Sequence, residues 1–534
     1  MEQQDLNKRL LLALALSFLV FVGYSYFFPV EKAPVNESQT TAKTTHATPT
    51  VTADKSAPAP TSSKVDATAA PVQSAVPSIA TVTSPTYKMT IDELGRIVQV
   101  ELLEKKYQVE EGENLQMLGQ DMVKPLEVRF ADVKLNEEAF KTPYVNAGAK
   151  ALSVKDGKEV LTLTQTLSSL TVTKTITFMP NGAYDVNIKT SKPAAFFLTP
   201  GHRPMADTSV YMLVRGVLVK GADDIITTIE DEDAEGYEKF EGAKIASAFD
   251  RYVASMFFDF DKGLNVSVLK EANGDPLLFV EGKDNLTVHA YIGPKNARTL
   301  EAINPELTDA IEFGWFSFLS KPFFKVLLWI NDYVGNWGWA IILFTLLVKF
   351  ILFPLSYKGM MSMQKLKDLA PKMKEIKEKY KGDPAKMNAQ MMEMYKKHGA
   401  NPMGGCLPLL LQIPVFFALY RVLLNAVELE GAPWILWIEN LAQMDPYFVL
   451  PVLMGVSMWF QQRITPSNFT DPLQEKIFKW FPVIMTIFFV YFPSGLVLYW
   501  LVNNMFTIGQ QYFINHMYAK QKAAAVAAHK KSKD

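Results

Sequence analysis

Gly338–Tyr357, GWAIILFTLLVKFILFPLSY, is an apolar run with one charge, Lys349. A run of this length spans the ~30 Å hydrocarbon core of a bilayer as a helix. An ammonium near its middle costs about 2.5–3.5 kcal/mol even on lenient insertion scales. Two readings compete. The lysine snorkels to the nearer interface, or it faces a buried hydrophilic pocket. From Lys349 to Ser356 is about 10 Å of helix axis, more than a lysine stem comfortably covers. Thr345 lies one turn earlier on the same face. The membrane cost favours the pocket.

The 534 residues are enough for two or three domains, and the net charge of −1 gives no global field directed at DNA or an acidic substrate. Hydrophobic residues make up 49% and are concentrated at the N-terminus and after residue 310. The one cysteine, Cys406, excludes an intrachain disulfide. His46, His202, His289, His398, His516 and His529 are scattered, without metal-ligand spacing. Gly-rich phosphate loops and a nucleophile elbow are absent. The reading is therefore of a chain that is not an enzyme and carries no cofactor.

Residues 1–30 place Lys8 and Arg9 before an apolar stretch, Leu10–Phe28. Gly23-Tyr24-Ser25 would suit signal cleavage, but the apolar run continues past it into Tyr26, Phe27 and Phe28, which favours an uncleaved transmembrane anchor. Residues 31–86, rich in Thr, Ala, Pro, Ser and Val, read as a disordered tether. Residues 87–310 read as a β-sandwich. In Glu159–Lys189, Val160, Leu161, Leu163, Leu167, Val172, Ile176 and Phe178 interleave with Thr, Ser and Lys, and Asn181-Gly182 signals a hairpin. Gly263–Leu269 and Leu286–Ile292 alternate similarly. The acidic stretch Glu230–Glu235 lacks a calcium-loop spacing and reads as a solvated loop.

Residues 311–334 carry seven Phe or Trp residues, charges at both ends and an interrupting Pro322. They read as an amphipathic helix lying in the membrane interface, with a true span as the alternative. Further apolar segments follow at Gly404–Leu424, Tyr447–Phe460, Trp480–Phe492 and Leu496–Ile514, making six spans with the anchor. Tyr357–Asn401 has eleven lysines against five acids, whereas Asn425–Pro446 has four acids and no Lys or Arg. By the positive-inside rule the first is cytoplasmic and the second external, so both termini lie inside. The fold class expected is a polytopic α-helical membrane protein, six transmembrane helices with N-in/C-in topology, carrying a large periplasmic β-sandwich domain.

Within residues 357–401, Ser362–Tyr380 and Ala385–Lys397 read as a helical hairpin. Asp383 is its N-cap and Pro384 opens its second arm. Its eight methionines suit either an adaptable apolar surface or the seam between the two arms. The segments Tyr447–Phe460 and Trp480–Phe492 are short for an average bilayer. Thr345, Lys349, Gln412, Asn503, Asn504 and Gln510 place polar groups in the spans, either lining a wet groove or joining helices by hydrogen bonds.

Asn401–Leu423, NPMGGCLPLLLQIPVFFALYRVL, and Phe492–Asn504, FPSGLVLYWLVNN, resemble the signature spans of the YidC/Oxa/Alb membrane protein insertase family. The order of parts resembles its Gram-negative bacterial members: anchor, tether, β domain, interfacial helix, five-helix core (335–515) with a hairpin, basic tail (516–534). The resemblance implies a bacterial inner-membrane location, nascent membrane proteins as substrates, and the Sec translocon, the ribosome and membrane lipids as partners. It implies a substrate groove at Lys349, Thr345 and Gln412, and an apolar substrate path at Pro414, Phe416, Met454, Phe488 and Trp500. Lys349 stands where the family usually has arginine, and Trp500 where it often has tyrosine. Two rival classes are a small-solute secondary transporter, against which the chain lacks an inverted repeat, and a passive assembly factor.

Overall fold

The computed structural model describes residues 77–110, 113–205, 214–398, 407–465 and 472–531. The expected anchor and most of the expected tether lie outside these residues.

The β region is organised by the meander read from Glu159–Lys189. Strands Glu159–Thr166, Thr171–Phe178 and Ala183–Thr190 pair antiparallel, with Ile176 opposite both Leu161 and Val186. Gly182 makes the second turn at φ +87°, and a Cβ there would lie 2.8 Å from the Ile292 carbonyl oxygen; a residue with a side chain fits neither the φ nor the space. The third strand pairs in turn with Asn285–Pro294, which also pairs Val253–Phe258. These belong to a 14-stranded sheet, beside a second sheet of six strands.

The tether ends earlier than its composition suggests. Ser78–Thr83 is a strand of the smaller sheet, antiparallel to Tyr87–Asp92 and parallel to Ala151–Ser153. Its buried side chains are only Ala80 and Val82, so its hydrophobic signal is as faint as the linker's. A second correction concerns Lys174. It shares the inward phase of Val172, Ile176 and Phe178, and it is fully buried. Its ammonium donates to the carbonyls of Gly95 (2.9 Å) and Leu126 (2.8 Å) and lies 4.8 Å from the Tyr144 ring centre. Nearby, Arg96 bridges Asp92 (2.8 Å) and Glu127 (3.1 Å). Asp231, in the acidic loop, is tied to Arg203 and Arg215.

Nine α-helices are described. Two belong to the β region: α1 (Val133–Lys141), capped by Asp132, and α2 (Ala297–Ile303), capped by Asn296. After a single turn at Gly314–Phe316 comes α3 (Ser317–Val334), which runs through Pro322 without interruption. Gly335, at φ +67°, ends it in the left-handed cap, and the Asn336 side chain accepts from the Trp339 N–H to start α4 (Trp337–Lys379). The separate span and hairpin arm expected from composition are one 43-residue helix, about 65 Å long. Pro354 and Pro371 each remove one backbone hydrogen bond without stopping it. Asp383 caps α5 (Pro384–Lys397), with Pro384 in the first turn, as the sequence indicates.

The remaining helices are α6 (Leu407–Asn425), α7 (Val449–Ile464), α8 (Pro472–Phe489) and α9 (Ser494–Lys531). With 16 and 18 residues, α7 and α8 cover about 24 and 27 Å, longer than their apolar runs. The basic tail does not start a new element: α9 continues through it to Lys531. Among the described residues, only α4 is long and apolar enough by length and composition to cross a membrane. The charges Glu475, Lys476 and Lys479 in α8 and the Asn and Gln residues of α9 dilute the apolar character of those two.

The two regions are joined by specific bonds. Arg251 Nε donates to the Leu424 carbonyl (2.7 Å), and the Ala297 N–H donates to the Glu428 carboxylate (2.8 Å). Arg421 pairs with Glu312 at 3.2 Å, and Asn425 donates to the Glu312 carbonyl at 2.6 Å. The Ser320 hydroxyl donates to the Ala418 carbonyl at 3.1 Å, fastening α3 to α6.

Burial pushes the Lys174 ammonium down to about 7 and that of Lys295 down to about 8, with Asp92 and Asp250 only partly opposing. In the unfolded chain both stay protonated to near the ordinary lysine value. The cost of burying charge is therefore full below pH 7 and is relieved as pH rises towards 10. Above the folded value, stability should rise by up to about 1.4 kcal/mol per pH unit per group. The midpoint of β-region unfolding, followed by near-UV circular dichroism of the full chain, should be higher at pH 9 than at pH 6.5. Lys174→Met should reduce that slope; a flat profile would contradict the assignment.

Candidate functional site

The helical region brings the expected groove residues into one place. On α4, Thr345, Lys349, Leu352 and Ser356 recur at helical spacing on one face. With Val348, with Gln412 and Val415 of α6, and with Tyr499 and Asn503 of α9, they line a cavity of about 20 Å³. That is room for about one water molecule.

Lys349 does not run out along its helix. Its Nζ donates to the Thr507 hydroxyl of α9 at 2.9 Å. The Thr507 hydroxyl in turn donates to the Asn503 carbonyl at 2.7 Å. Gln412 Nε2 donates to the Asn503 side-chain oxygen at 2.6 Å, joining α6 to α9. The Thr345 hydroxyl is committed to the Ile341 carbonyl of its own helix (2.6 Å), so it lines the cavity with its proton already used. Among the described residues, Lys349 forms no ion pair with a carboxylate. Among the described residues no carboxylate neutralises the charge at this site, and a neutral hydroxyl holds it.

The residues of the expected apolar path divide. Phe416 packs edge-on against Trp500 with ring centres 4.7 Å apart, and Trp500 lies 5.0 Å from Phe489. Phe488 and Phe489 both meet Phe492 at 4.9 Å, and Phe492 reaches Tyr420. Phe416, Phe488 and Trp500 thus belong to one aromatic cluster joining α6, α8 and α9. Pro414 lies one turn before Ala418 inside α6 and is partly exposed. Met454 is fully buried on α7.

Thr507 was missed by sequence reading, though it carries the only side-chain bond to Lys349 among the described residues. Its signal is positional: Asn503, Thr507 and Gln510 fall at i, i+4 and i+7 on one stripe of α9. Asn504 follows the other reading given above, donating to the Ser457 hydroxyl of α7 at 3.1 Å.

In the hairpin, Leu369, Met394 and Tyr395 are buried against each other, with Met373 and Met391 packed around them. Part of the methionine set therefore fills the seam, while Met392 remains exposed. The far end of α9 docks on the α4 arm. Tyr518 donates to Asp368 at 2.9 Å, and Lys522 pairs with the same carboxylate at 2.8 Å.

A family profile described as "60Kd inner membrane protein" matches residues 329–522, and one described as "YidC periplasmic domain" matches residues 276–326. The chain is 50% identical over 529 residues to the membrane protein insertase YidC of Wolinella succinogenes, covering 98% of each chain. It is 48% identical over 516 residues to that of Campylobacter jejuni, covering 96% and 97%. It is 46% identical over 549 residues to that of Helicobacter pylori strain 26695, covering 98% of each. The helical region with its β-rich companion defines the class. The chain belongs to the YidC/Oxa/Alb family.

The Lys349–Thr507 bond can be isolated by a double-mutant cycle. Thr507→Val should destabilise the full chain in detergent by about 1–2 kcal/mol, because it leaves a charged donor without its acceptor. In a Lys349→Met background the same change should cost close to nothing. Equal costs in both backgrounds, measured by thermal unfolding, would mean that the bond does not hold the two helices.

Proposed function

We propose that the chain is a membrane protein insertase of a bacterial inner membrane. It integrates nascent inner-membrane proteins and helps them fold, alone or beside the Sec translocon. The observation that carries this reading is Lys349, a cation without a carboxylate partner inside the one helix that, among the described residues, is long and apolar enough to cross a membrane, facing a small polar cavity between α4, α6 and α9. A charge so placed is costly, and it forms no ion pair with a described carboxylate that would give it a purely structural purpose.

The multi-pass, N-in/C-in arrangement and the external β region remain part of the proposal. Loop charge supports them, and so does the helical surface. Leu347, Phe350 and Ile351 on α4, Val456 on α7, Ile487 on α8 and Met505 on α9 are all exposed. Apolar faces on so many helices suit lipid rather than water.

The mechanism follows from the site. A polar segment entering from the cytoplasm displaces the Lys349–Thr507 and Gln412–Asn503 bonds and occupies the groove. The cation attracts acidic residues of that segment. Short α7 and α8 favour a thinned bilayer beside the groove, which reduces the remaining apolar distance. The substrate's own transmembrane helix passes the Phe416–Trp500 cluster and partitions into lipid. Its hydrophobicity supplies the driving force, with no nucleotide hydrolysis by this chain. The α4–α5 hairpin meets substrate first through its exposed methionine and lysine surface. The basic end of α9 supports ribosome proximity, beside its plainer role of fixing topology.

Lys349→Arg should be tolerated, since it keeps the charge at the same depth. Lys349→Ala should fold normally but lose function selectively. Insertion of a reporter with an acidic outer segment should fall about fivefold or more, while neutral and basic versions insert nearly as in wild type. Equal effects on all three reporters would remove charge attraction from the mechanism and leave only hydration or packing.

A further inference from the structure

On α9 the side-chain amides of Asn503, Asn504, Gln511 and Asn515 each have a hydrogen-bond partner. Gln510 is the exception. It is only 6% exposed, yet neither its Oε1 nor its Nε2 has a partner. Buried amides left unpaired are rare and destabilising. Its position says what it is for. Gln510 continues the Asn503–Thr507 stripe by one turn. Pairing between α4 and α9 rises in parallel along both helices: Lys349 meets Thr507, Gln364 meets Asn515, and Asp368 meets Tyr518 and Lys522. Interpolating that register sets Gln510 level with the stretch from Leu352 to just beyond Ser356; both of those residues line the cavity, and Gln510 itself lies just beyond its lining.

The geometry points to Gln510 as a further hydrogen-bonding station of the groove, one that takes a peptide unit of the polar segment being moved. This rests on the insertase reading and deepens it. A primary amide offers one acceptor and one side of a donor pair, the same set a peptide unit presents in reverse, so the two can exchange two hydrogen bonds. Such a pair is blind to side chains. Lys349 attracts acidic segments, whereas Gln510 serves any segment whose backbone has left water and has no helix or sheet to satisfy it. It follows that dependence on Gln510 grows with the length of the translocated polar segment and not with its charge.

The test uses the full chain reconstituted in vesicles and two reporters sharing one transmembrane span, with a short or a long uncharged outer segment. Gln510→Met keeps the volume and removes both hydrogen-bonding atoms. Insertion of the long-segment reporter should fall about fivefold, the weight of one to two neutral hydrogen bonds. The short-segment reporter should be unchanged, and the thermal midpoint should be unchanged or higher. No fall on either reporter, an equal fall on both, or a lowered midpoint would overturn the assignment and leave Gln510 a water-binding or packing residue. Failure of the wild-type chain to insert either reporter would instead overturn the insertase reading itself.

Discussion

An ammonium held by a hydroxyl inside an apolar helical bundle is the constraint around which the polar contacts of the helical region are arranged. Lys349 and Thr507 belong to helices that otherwise present exposed aliphatic and aromatic side chains outward. Two long helices, α4 and α9, meet at this bond and again at Gln364–Asn515 and Asp368–Lys522, so polar contacts recur from Lys349 to Asp368 beside the apolar Phe350–Phe506 contact. In lipid, such hydrogen bonds are a principal means of fixing helices against each other. They are also bonds that a polar guest can replace, which an apolar seam would not offer.

The β region constrains the same bundle from its other end. Arg251 bonds to the last turn of α6 and Ala297 to the turn that follows it, and Glu312 holds both Arg421 and Asn425. The end of α6 is thus tied to the β region and to Glu312 ahead of α3, while the far end of α9 is tied to the hairpin arm of α4. Burial pushes the Glu428 carboxyl above its ordinary range, with the Ala297 N–H partly opposing. Its folded value lies above its unfolded one, so the junction is tightest at acid pH and weakens as pH rises through that value.

Much of this was legible in the sequence. The apolar run around Lys349, the Asp383-Pro384 cap, the Asn181-Gly182 hairpin and the alternation of Glu159–Lys189 are local signals, and the corresponding elements form as read. Other features were hidden for identifiable reasons. Ser78–Thr83 becomes a strand only because Tyr87–Asp92 and Ala151–Ser153 supply its partners. Lys174 reads as a surface residue by type, and only the phase of Val172 and Ile176 betrays that it points inward. The continuity of α4 through Pro354 overrides a local breaker. Thr507 needed knowledge of which face of α9 meets α4, a contact across 158 residues of sequence. The burial of Met454 likewise depends on which face α7 turns towards its neighbours.

The central claim is that this chain itself can move a polar segment across the membrane when no Sec translocon is present and without hydrolysing a nucleotide. The direct measurement is protease protection of a single-span substrate added to vesicles that contain only the purified chain, with no nucleotide present. The account predicts that the substrate's outer segment becomes protected in proportion to the amount of chain reconstituted. Protection no greater than in protein-free vesicles would contradict it.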